Sequence, residues 1–232
     1  MKRPGIQPSL EKAAVDAAFS RFPTFDIERA LISEGYRLIA GVDEAGRGAL
    51  AGPLCVGMVI FSPSFILSPT QPLTGVKDSK LLTHKGRCFA LELIKQHALL
   101  ATTRLISHRL IDRLNINGAT EYAIRRLIDE SPITPEIIIL DGTFNFRARV
   151  PIKSVPKGDR VSFSIAGASI VAKVRRDGVL KRLDSLYPSY QFSRNKGYGT
   201  RDHLAALRDS GPSPVHRLSY RPVSDTHRGE AM

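Results

Sequence analysis

The sequence is poor in the residues on which several kinds of functional site depend. Cysteine occurs only at Cys55 and Cys88, with no CxxC spacing, so neither a disulfide framework nor a cysteine-rich zinc site organises the fold. A GxxxxGK[ST] phosphate loop, a His/Cys metal cluster and a Ser-His-Asp arrangement are missing too. The chain therefore lacks the familiar signatures of P-loop nucleotide hydrolysis, zinc chemistry and serine catalysis.

Long hydrophobic runs are also missing. No apolar stretch approaches the ~20 residues that a membrane-spanning helix needs. The N-terminal segment lacks the continuous apolar core of a signal peptide. We therefore expect a cytoplasmic protein with reduced thiols and no membrane partner.

Acidic residues are outnumbered by basic ones. The 34 Lys and Arg face 22 Asp and Glu, which gives a formal net charge of +12. Such a field attracts polyanions, either nucleic acid or an anionic membrane surface. A basic charge that serves only solubility is the alternative, and charge alone does not decide between them.

The apolar pattern predicts one α/β layered body. A helical extension (1–35) precedes the body (36–222), which ends in a helical segment from about 180 and is followed by a tail (223–232). Strands are predicted at 36–45, 54–61, 99–108, 135–142 and, as an edge strand, 150–158, and helices at 9–35 with a break at Pro23, 83–97, 111–130 and 164–186.

Four acids stand out by their position. Asp43 and Glu44 end the first strand, Asp141 ends the most apolar strand, and Asp177 lies in the last long helix. Sites in α/β sheets collect at strand ends. Each acid alone also fits a turn or a surface position, and Asp177 fits an i, i+4 ion pair with Lys173. If gathered, four carboxylates repel one another, and two divalent ions with oxygen ligands, Mg²⁺ or Mn²⁺, would neutralise them.

A glycine-rich turn follows the first acids directly. Gly46 and Gly48 flank Arg47 and let the backbone approach a ligand closely. Backbone amide and carbonyl groups can both contact a ribose 2′-OH, and an arginine can meet a phosphate. Further along, Tyr198 lies between two other glycines. It is either exposed, where it can stack on a sugar or base, or packed on the core.

These motifs, in this order, resemble one family, ribonuclease HII. The resemblance is carried by GVDEAGRGALAGP (41–53), DSKLL (78–82), ILDGTF (139–144), SIAGASIVAKVRRD (164–177), NKGYGT (195–200) and GPSPVHRLSY (211–220). It implies a ribonuclease H-like fold, with a five-stranded mixed sheet flanked by helices and a helical C-terminal segment.

The resemblance also implies an activity and its residues. The expected enzyme is an endonuclease that hydrolyses the RNA strand of RNA/DNA hybrids and incises 5′ of single ribonucleotides in duplex DNA. It leaves 3′-OH and 5′-phosphate ends, and acts in ribonucleotide excision repair and DNA replication. Catalysis and binding of two Mg²⁺ or Mn²⁺ ions fall on Asp43, Glu44, Asp141 and Asp177. Substrate contacts fall on Gly46, Arg47, Gly48, Tyr198, Lys80, Ser169 and Lys173.

Two other classes of protein stay open at this point. A transposase- or resolvase-like DNA nuclease of the same fold would cut duplexes that contain only DNA. A non-catalytic nucleic-acid binder would bind hybrid with a steep salt dependence and release no product. For any of the three we expect a monomer whose partner is nucleic acid.

Overall fold

Strands and helices follow the apolar pattern of the chain. The protein's structure is a computed structural model, which describes residues 22–70, 72–73, 75–76, 79, 82–144 and 146–227. The strands are β1 (Ile39–Ala45), β2 (Leu54–Phe61), β3 (Ala98–Ile106), β4 (Ile137–Asp141) and β5 (Ile152–Val155). The α-helices are α1 (Asp26–Ser33), α2 (Pro63–Leu67), α3 (His84–His97), α4 (His108–Glu130), α5 (Phe163–Leu186), α6 (Phe192–Asn195), α7 (Arg201–Ser210) and α8 (Val223–His227).

The differences from the predicted elements are small. Helix α2 lies where a loop was predicted, because Ser62 caps its first turn and Pro63 occupies the first helical position. Helix α8 begins the segment predicted as a tail. The predicted helix before Phe22 lies outside the described residues. In the part of the chain that the structure describes, no helix is long and apolar enough to span a membrane.

The five strands form one mixed sheet in the order β3-β2-β1-β4-β5. Strand β4 is parallel to both of its neighbours. Val42 of β1 lies opposite Leu140 of β4, and Asp141 of β4 lies opposite Val155 of β5. Strand β5 lies at the edge, as predicted. Parallel strands end at the same side of a sheet. The carboxyl ends of β1, β4 and β5 therefore lie side by side at one end of the strands.

The chain divides into two units. The first comprises the described residues of 1–43 with Gly57–Thr102 and Ile128–Val171. The second comprises Glu44–Val56, Thr103–Leu127 and the described residues of 172–232. The core of the first unit joins α1 to the sheet and to the start of α5, through Ile27, Leu31, Ile39, Ile137, Ile139, Val161 and Ile165.

Helix α5 crosses β1 in direct backbone contact. A Cβ added at Gly41 would lie 2.1 Å from the carbonyl carbon of Ser164, so only glycine fits there. A buried carboxylate from α1 holds the same end of α5. Glu28 accepts hydrogen bonds from the Ser162 hydroxyl at 2.6 Å and from the Ser164 amide at 3.0 Å. Ser162 in turn caps the amide of Ile165. These contacts fix where α5 begins.

Glu28 should make the stability of the protein depend on pH. Burial raises the pKa of its carboxyl group above the ordinary value of 4.5. The folded state therefore binds this proton more tightly than the unfolded chain, and the contribution of Glu28 falls as the pH rises from 4.5 through the folded pKa. We expect Glu28→Gln to reduce the loss of unfolding free energy between pH 5 and pH 8, measured by urea denaturation.

The control for this test is Glu28→Ala. It removes the acceptor of Ser162 and Ser164 and should lower the unfolding free energy by about 1–3 kcal/mol at both pH values. A Glu28→Gln protein with the pH dependence of the unaltered chain would contradict the prediction.

Candidate active site

Three carboxylates lie close together at the carboxyl ends of the parallel strands. Oxygen atoms of Asp43, Asp141 and Asp159 all lie within 4.8 Å of one another. Asp43 belongs to β1 and Asp141 ends β4, so the parallel register of these strands brings the two together. Asp43 and Asp159 are buried and Asp141 is half-buried. All three belong to the first unit.

Asp159 is the member that the sequence analysis missed. It lies in a 3₁₀ turn (Gly158–Arg160) shortly after β5. The Gly158 amide donates to the Asp141 carboxylate at 2.6 Å, which ties this turn to the end of β4. No pattern in the sequence gives the direction of β5, and it is the parallel pairing of β5 with β4 that brings an acid after β5 to the side of the sheet where Asp141 lies.

Gly158 packs closely against helix α5 in this turn. Lys157 adopts a left-handed conformation, with φ 57°, and turns the chain back after β5. A Cβ at Gly158 would lie 2.5 Å from the Cδ1 of Ile165 on helix α5. The close packing of Gly158 against α5 therefore sets the position of its neighbour Asp159.

The cluster has the chemistry of a divalent cation site. Three carboxylates this close repel one another strongly when ionised, and a cation removes that cost. A donor set made of oxygen atoms only favours Mg²⁺ or Mn²⁺ over zinc or copper. Asp43, Asp141 and Asp159 therefore fit the kind of ion that the sequence analysis expected.

The other two predicted acids, Glu44 and Asp177, lie in the second unit. Glu44 follows Asp43 on β1 and is half-buried. The Asp177 carboxylate forms an ion pair with the Lys173 ammonium at 2.7 Å, on helix α5. The i, i+4 alternative weighed for Asp177 thus exists in the structure, although Asp177 is buried and not on the surface. A metal-binding role for Asp177 stays a prediction.

The glycine turn after β1 is pinned by a buried arginine. Arg217 is fully buried and donates to the carbonyl of Gly46 at 2.7 Å and to that of Arg47 at 2.9 Å. Tyr220 also donates to the Arg47 carbonyl, at 3.0 Å. Gly46 has φ 94°, and a Cβ there would lie 1.9 Å from the Nε of Arg176. The protein's own packing requires this first glycine.

Gly48 differs from Gly46 in this respect. It is exposed, and a Cβ added to it would have no atom within 4 Å. Between the two glycines, the Arg47 side chain donates to Asn117 and, at 3.3 Å, to Thr120, both on helix α4. Its guanidinium group is therefore partly engaged within the protein.

Tyr198 occupies a second turn. Its side chain is 37% exposed, and the guanidinium carbon of Arg176 lies 5.5 Å from its ring centroid. Of the two alternatives for Tyr198, the structure has the exposed one, with a cation beneath the ring. Both turns belong to the second unit, and the Leu50 amide donates to the Gly197 carbonyl at 2.7 Å, which links them.

Ser169, Lys173 and Lys80 are the remaining residues that are predicted to contact the substrate. The Ser169 hydroxyl is buried and hydrogen-bonded to that of Ser79 at 2.9 Å. Lys173 is engaged with Asp177. Lys80 lies outside the described residues. Their roles toward a substrate stay predictions.

The sheet order and its flanking helices define a ribonuclease H-like fold. The ribonuclease H2 of Pyrococcus horikoshii superposes with a TM-score of 0.70 at 23% identity, over 83% of this chain and 98% of that one. Bst-RNase HIII, solved with Mn²⁺, superposes with a TM-score of 0.60 at 18% identity, over 83% of this chain and 70% of that one.

Sequence comparison narrows this class to one family. The family model described as Ribonuclease HII matches residues 40–223. A ribonuclease HII of Caldicellulosiruptor saccharolyticus is 42% identical over 196 residues, which cover 84% of this chain and 93% of the relative. The chain belongs to the ribonuclease HII family, which supports an endonuclease of the ribonuclease H type.

The geometry assigns metal binding to Asp159, whereas the sequence resemblance assigns it to Asp177. Asp159→Asn removes one of three clustered carboxylates and should weaken Mn²⁺ binding by about tenfold or more. Asp177→Asn is the matched variant for the other assignment, since both side chains are buried. The measurement is the rise in melting temperature on titration with Mn²⁺, which follows the occupancy of the site.

Two outcomes separate the assignments. If the Mn²⁺ response survives in Asp177→Asn and weakens in Asp159→Asn, Asp159 is the ligand. The opposite pattern would return the site to Asp177, as the sequence resemblance implied.

Proposed function

We propose that the chain hydrolyses the RNA strand of RNA/DNA hybrids and incises 5′ of single ribonucleotides in duplex DNA, leaving 3′-OH and 5′-phosphate ends. The observation that carries the proposal is the carboxylate cluster of Asp43, Asp141 and Asp159 in a family of ribonucleases. The net charge of +12 supports a polyanionic substrate. We further propose that the enzyme works as a monomer in the cytoplasm, in ribonucleotide repair and DNA replication.

The cluster would hold the divalent ions. Asp43, Asp141 and Asp159 would supply carboxylate oxygens. The family resemblance adds Glu44 and Asp177 to the proposed ligands. Two bound Mg²⁺ or Mn²⁺ ions would supply an activated water and a counter-charge for the leaving 3′ oxygen. The protein's own part is to keep these carboxylates crowded in place. The Gly158 amide does this for Asp141.

Recognition of ribose would fall on the backbone between Gly46 and Gly48. Arg217 and Tyr220 hold the carbonyls of this turn, which keeps its shape independent of substrate. The residues that the structure describes give no steric reason for a glycine at Gly48. A sugar pressed against the backbone would give one, because a 2′-OH both donates and accepts hydrogen bonds.

Tyr198 would contact the DNA side of the junction between a ribonucleotide and the deoxyribonucleotide that follows it. An exposed ring over a buried cation is suited to stack on the deoxyribose just 3′ of the ribonucleotide. We also propose phosphate contacts for Lys80, Ser169 and Lys173, as the family resemblance implies. For Lys173 this would require its ammonium to serve both the phosphate and Asp177.

A substrate panel tests the proposal. The purified protein with Mg²⁺ or Mn²⁺ should cut an RNA/DNA hybrid and duplexes with four or one ribonucleotides, and leave an all-DNA duplex intact. Mass spectrometry of the products should find a 5′-phosphate on the ribonucleotide. Cutting of the all-DNA duplex would point to a transposase- or resolvase-like nuclease instead. Salt-dependent binding without any product would indicate a non-catalytic binder.

The two glycines of the turn should respond differently to alanine. Gly46→Ala places a Cβ against Arg176 in a left-handed conformation and should lower the unfolding free energy by about 1–3 kcal/mol or more. Gly48→Ala meets no protein atom and should leave the melting temperature within a few degrees. It should still slow cleavage next to a ribonucleotide by about tenfold, because its methyl group displaces the sugar.

The Mn²⁺ response is the internal control for Gly48→Ala and should not change. Normal cleavage of every ribonucleotide-containing duplex by this variant would rule out substrate contact at Gly48.

A further inference from the structure

The turn that carries Tyr198 is held by three successive carbonyl groups. The Lys196 carbonyl accepts a hydrogen bond from Arg176 at 2.8 Å, and the Gly197 carbonyl accepts one from the Leu50 amide at 2.7 Å. The third carbonyl, that of Tyr198 itself, lies 2.8 Å from the Nδ1 of His203 and also accepts a hydrogen bond from the Thr200 amide at 2.8 Å. Each carbonyl is thus bonded to a different part of the second unit, and the one side chain bonded to the Tyr198 carbonyl in these contacts is a histidine.

His203 is one half of a buried histidine pair. Its Nε2 lies 3.0 Å from the Nε2 of His216, and both side chains are almost fully buried. The Nδ1 of His216 lies 2.9 Å from the amide of Ser213 and 2.8 Å from its hydroxyl. The ring of Tyr190 packs against His216 at a centroid distance of 4.9 Å. The pair therefore links the segment before Arg217 to the turn of Tyr198.

Elementary hydrogen-bond chemistry fixes the direction of this chain. An amide N–H can only donate, so the Nδ1 of His216 accepts from Ser213. The proton of a neutral His216 ring is then on Nε2, which donates to the Nε2 of His203. The proton of His203 is consequently on Nδ1, where it donates to the Tyr198 carbonyl. One arrangement of protons satisfies every partner.

Burial supports the neutral form of both rings. Burial lowers the pKa of His203, and it lowers that of His216 to about 4. The other titratable groups that face the pair are Tyr190, through its ring, and His108, whose charge would lower the pKa of His216 further. Neither supplies a negative charge that would favour an imidazolium.

We infer that His203 and His216 are positioning residues for Tyr198, and that their directed hydrogen-bond chain sets the enzyme's preference for a ribonucleotide followed by DNA. The inference rests on the proposed function, because it gives Tyr198 the role of junction reader. The chain holds the tyrosine backbone from inside the fold, so the ring meets the sugar at a fixed height. The pair itself touches no substrate.

Two substitutions at His203 separate this role from simple packing. His203→Asn places an amide N–H close to the position of Nδ1 and can still donate to the Tyr198 carbonyl. His203→Gln places its amide close to the position of Nε2, so it keeps the partner in His216 and loses the bond to Tyr198. A purely structural role predicts that both variants behave alike.

The readout is the ratio of cleavage rates on a single-ribonucleotide duplex and on an RNA/DNA hybrid. We expect this ratio to fall about tenfold in His203→Gln and to stay within about threefold of the unaltered protein in His203→Asn. Equal ratios in the two variants, whether both normal or both reduced, would overturn the inference. If the unaltered protein cuts neither substrate, the proposed function fails, which is a separate result.

A second measurement needs no substitution. Nitrogen-15 NMR of the histidine rings in the full chain at neutral pH should find His203 protonated on Nδ1 and His216 protonated on Nε2. The opposite tautomers, or a charged ring, would overturn the chain of hydrogen bonds whatever the activity assays give.

Discussion

The first unit has to hold three carboxylates close together at the ends of its parallel strands, although their charges repel one another. Asp43, Asp141 and Asp159 lie where like charges are costly, and the surrounding contacts hold them there. Two come from parallel neighbours in the sheet, whose register cannot slip without turning every side chain to the other face. The third is fixed by Gly158, which is bonded to Asp141 and packed against helix α5. Glu28 secures that helix from the other side.

In the second unit, buried arginine side chains hold irregular backbone in a defined shape. Arg176 and Arg217 are both fully buried, and each donates to three backbone carbonyls. Burial lowers the pKa of both, that of Arg176 to about 10. A buried guanidinium is tolerated when its donors are all used, and its rigid fork then orders several loop residues at once. The turns of Gly46–Gly48 and Tyr198 are the loops ordered in this way.

Much of this could be predicted from the sequence, and the part that could not has physical reasons. The strands were visible because their apolar runs are short and bounded by glycine and proline. Asp43 and Asp141 were visible because each ends such a run. Asp159 was not, since it follows an edge strand by a turn whose path depends on Lys157 and Gly158. Asp177 stood out by its helical spacing, and the same spacing gave it Lys173 as a partner.

The burial of polar residues could not be predicted from the sequence either. Arg176, Arg217 and Glu28 look like ordinary surface charges in a chain with 24% charged residues. Only the fold identifies them as internal. The histidine pair is similar, because the contact between His203 and His216 depends on how α7 packs, which no local pattern encodes.

The two solutions meet in strand β1, where the first unit ends at Asp43 and the second begins at Glu44. Gly46 follows Asp43 by three residues, which span at most about 11 Å even when fully extended. In the proposed function, a residue that binds metal and the turn that contacts ribose are thus encoded in one short segment, which is why GVDEAGRGALAGP (41–53) carries so much of the sequence resemblance.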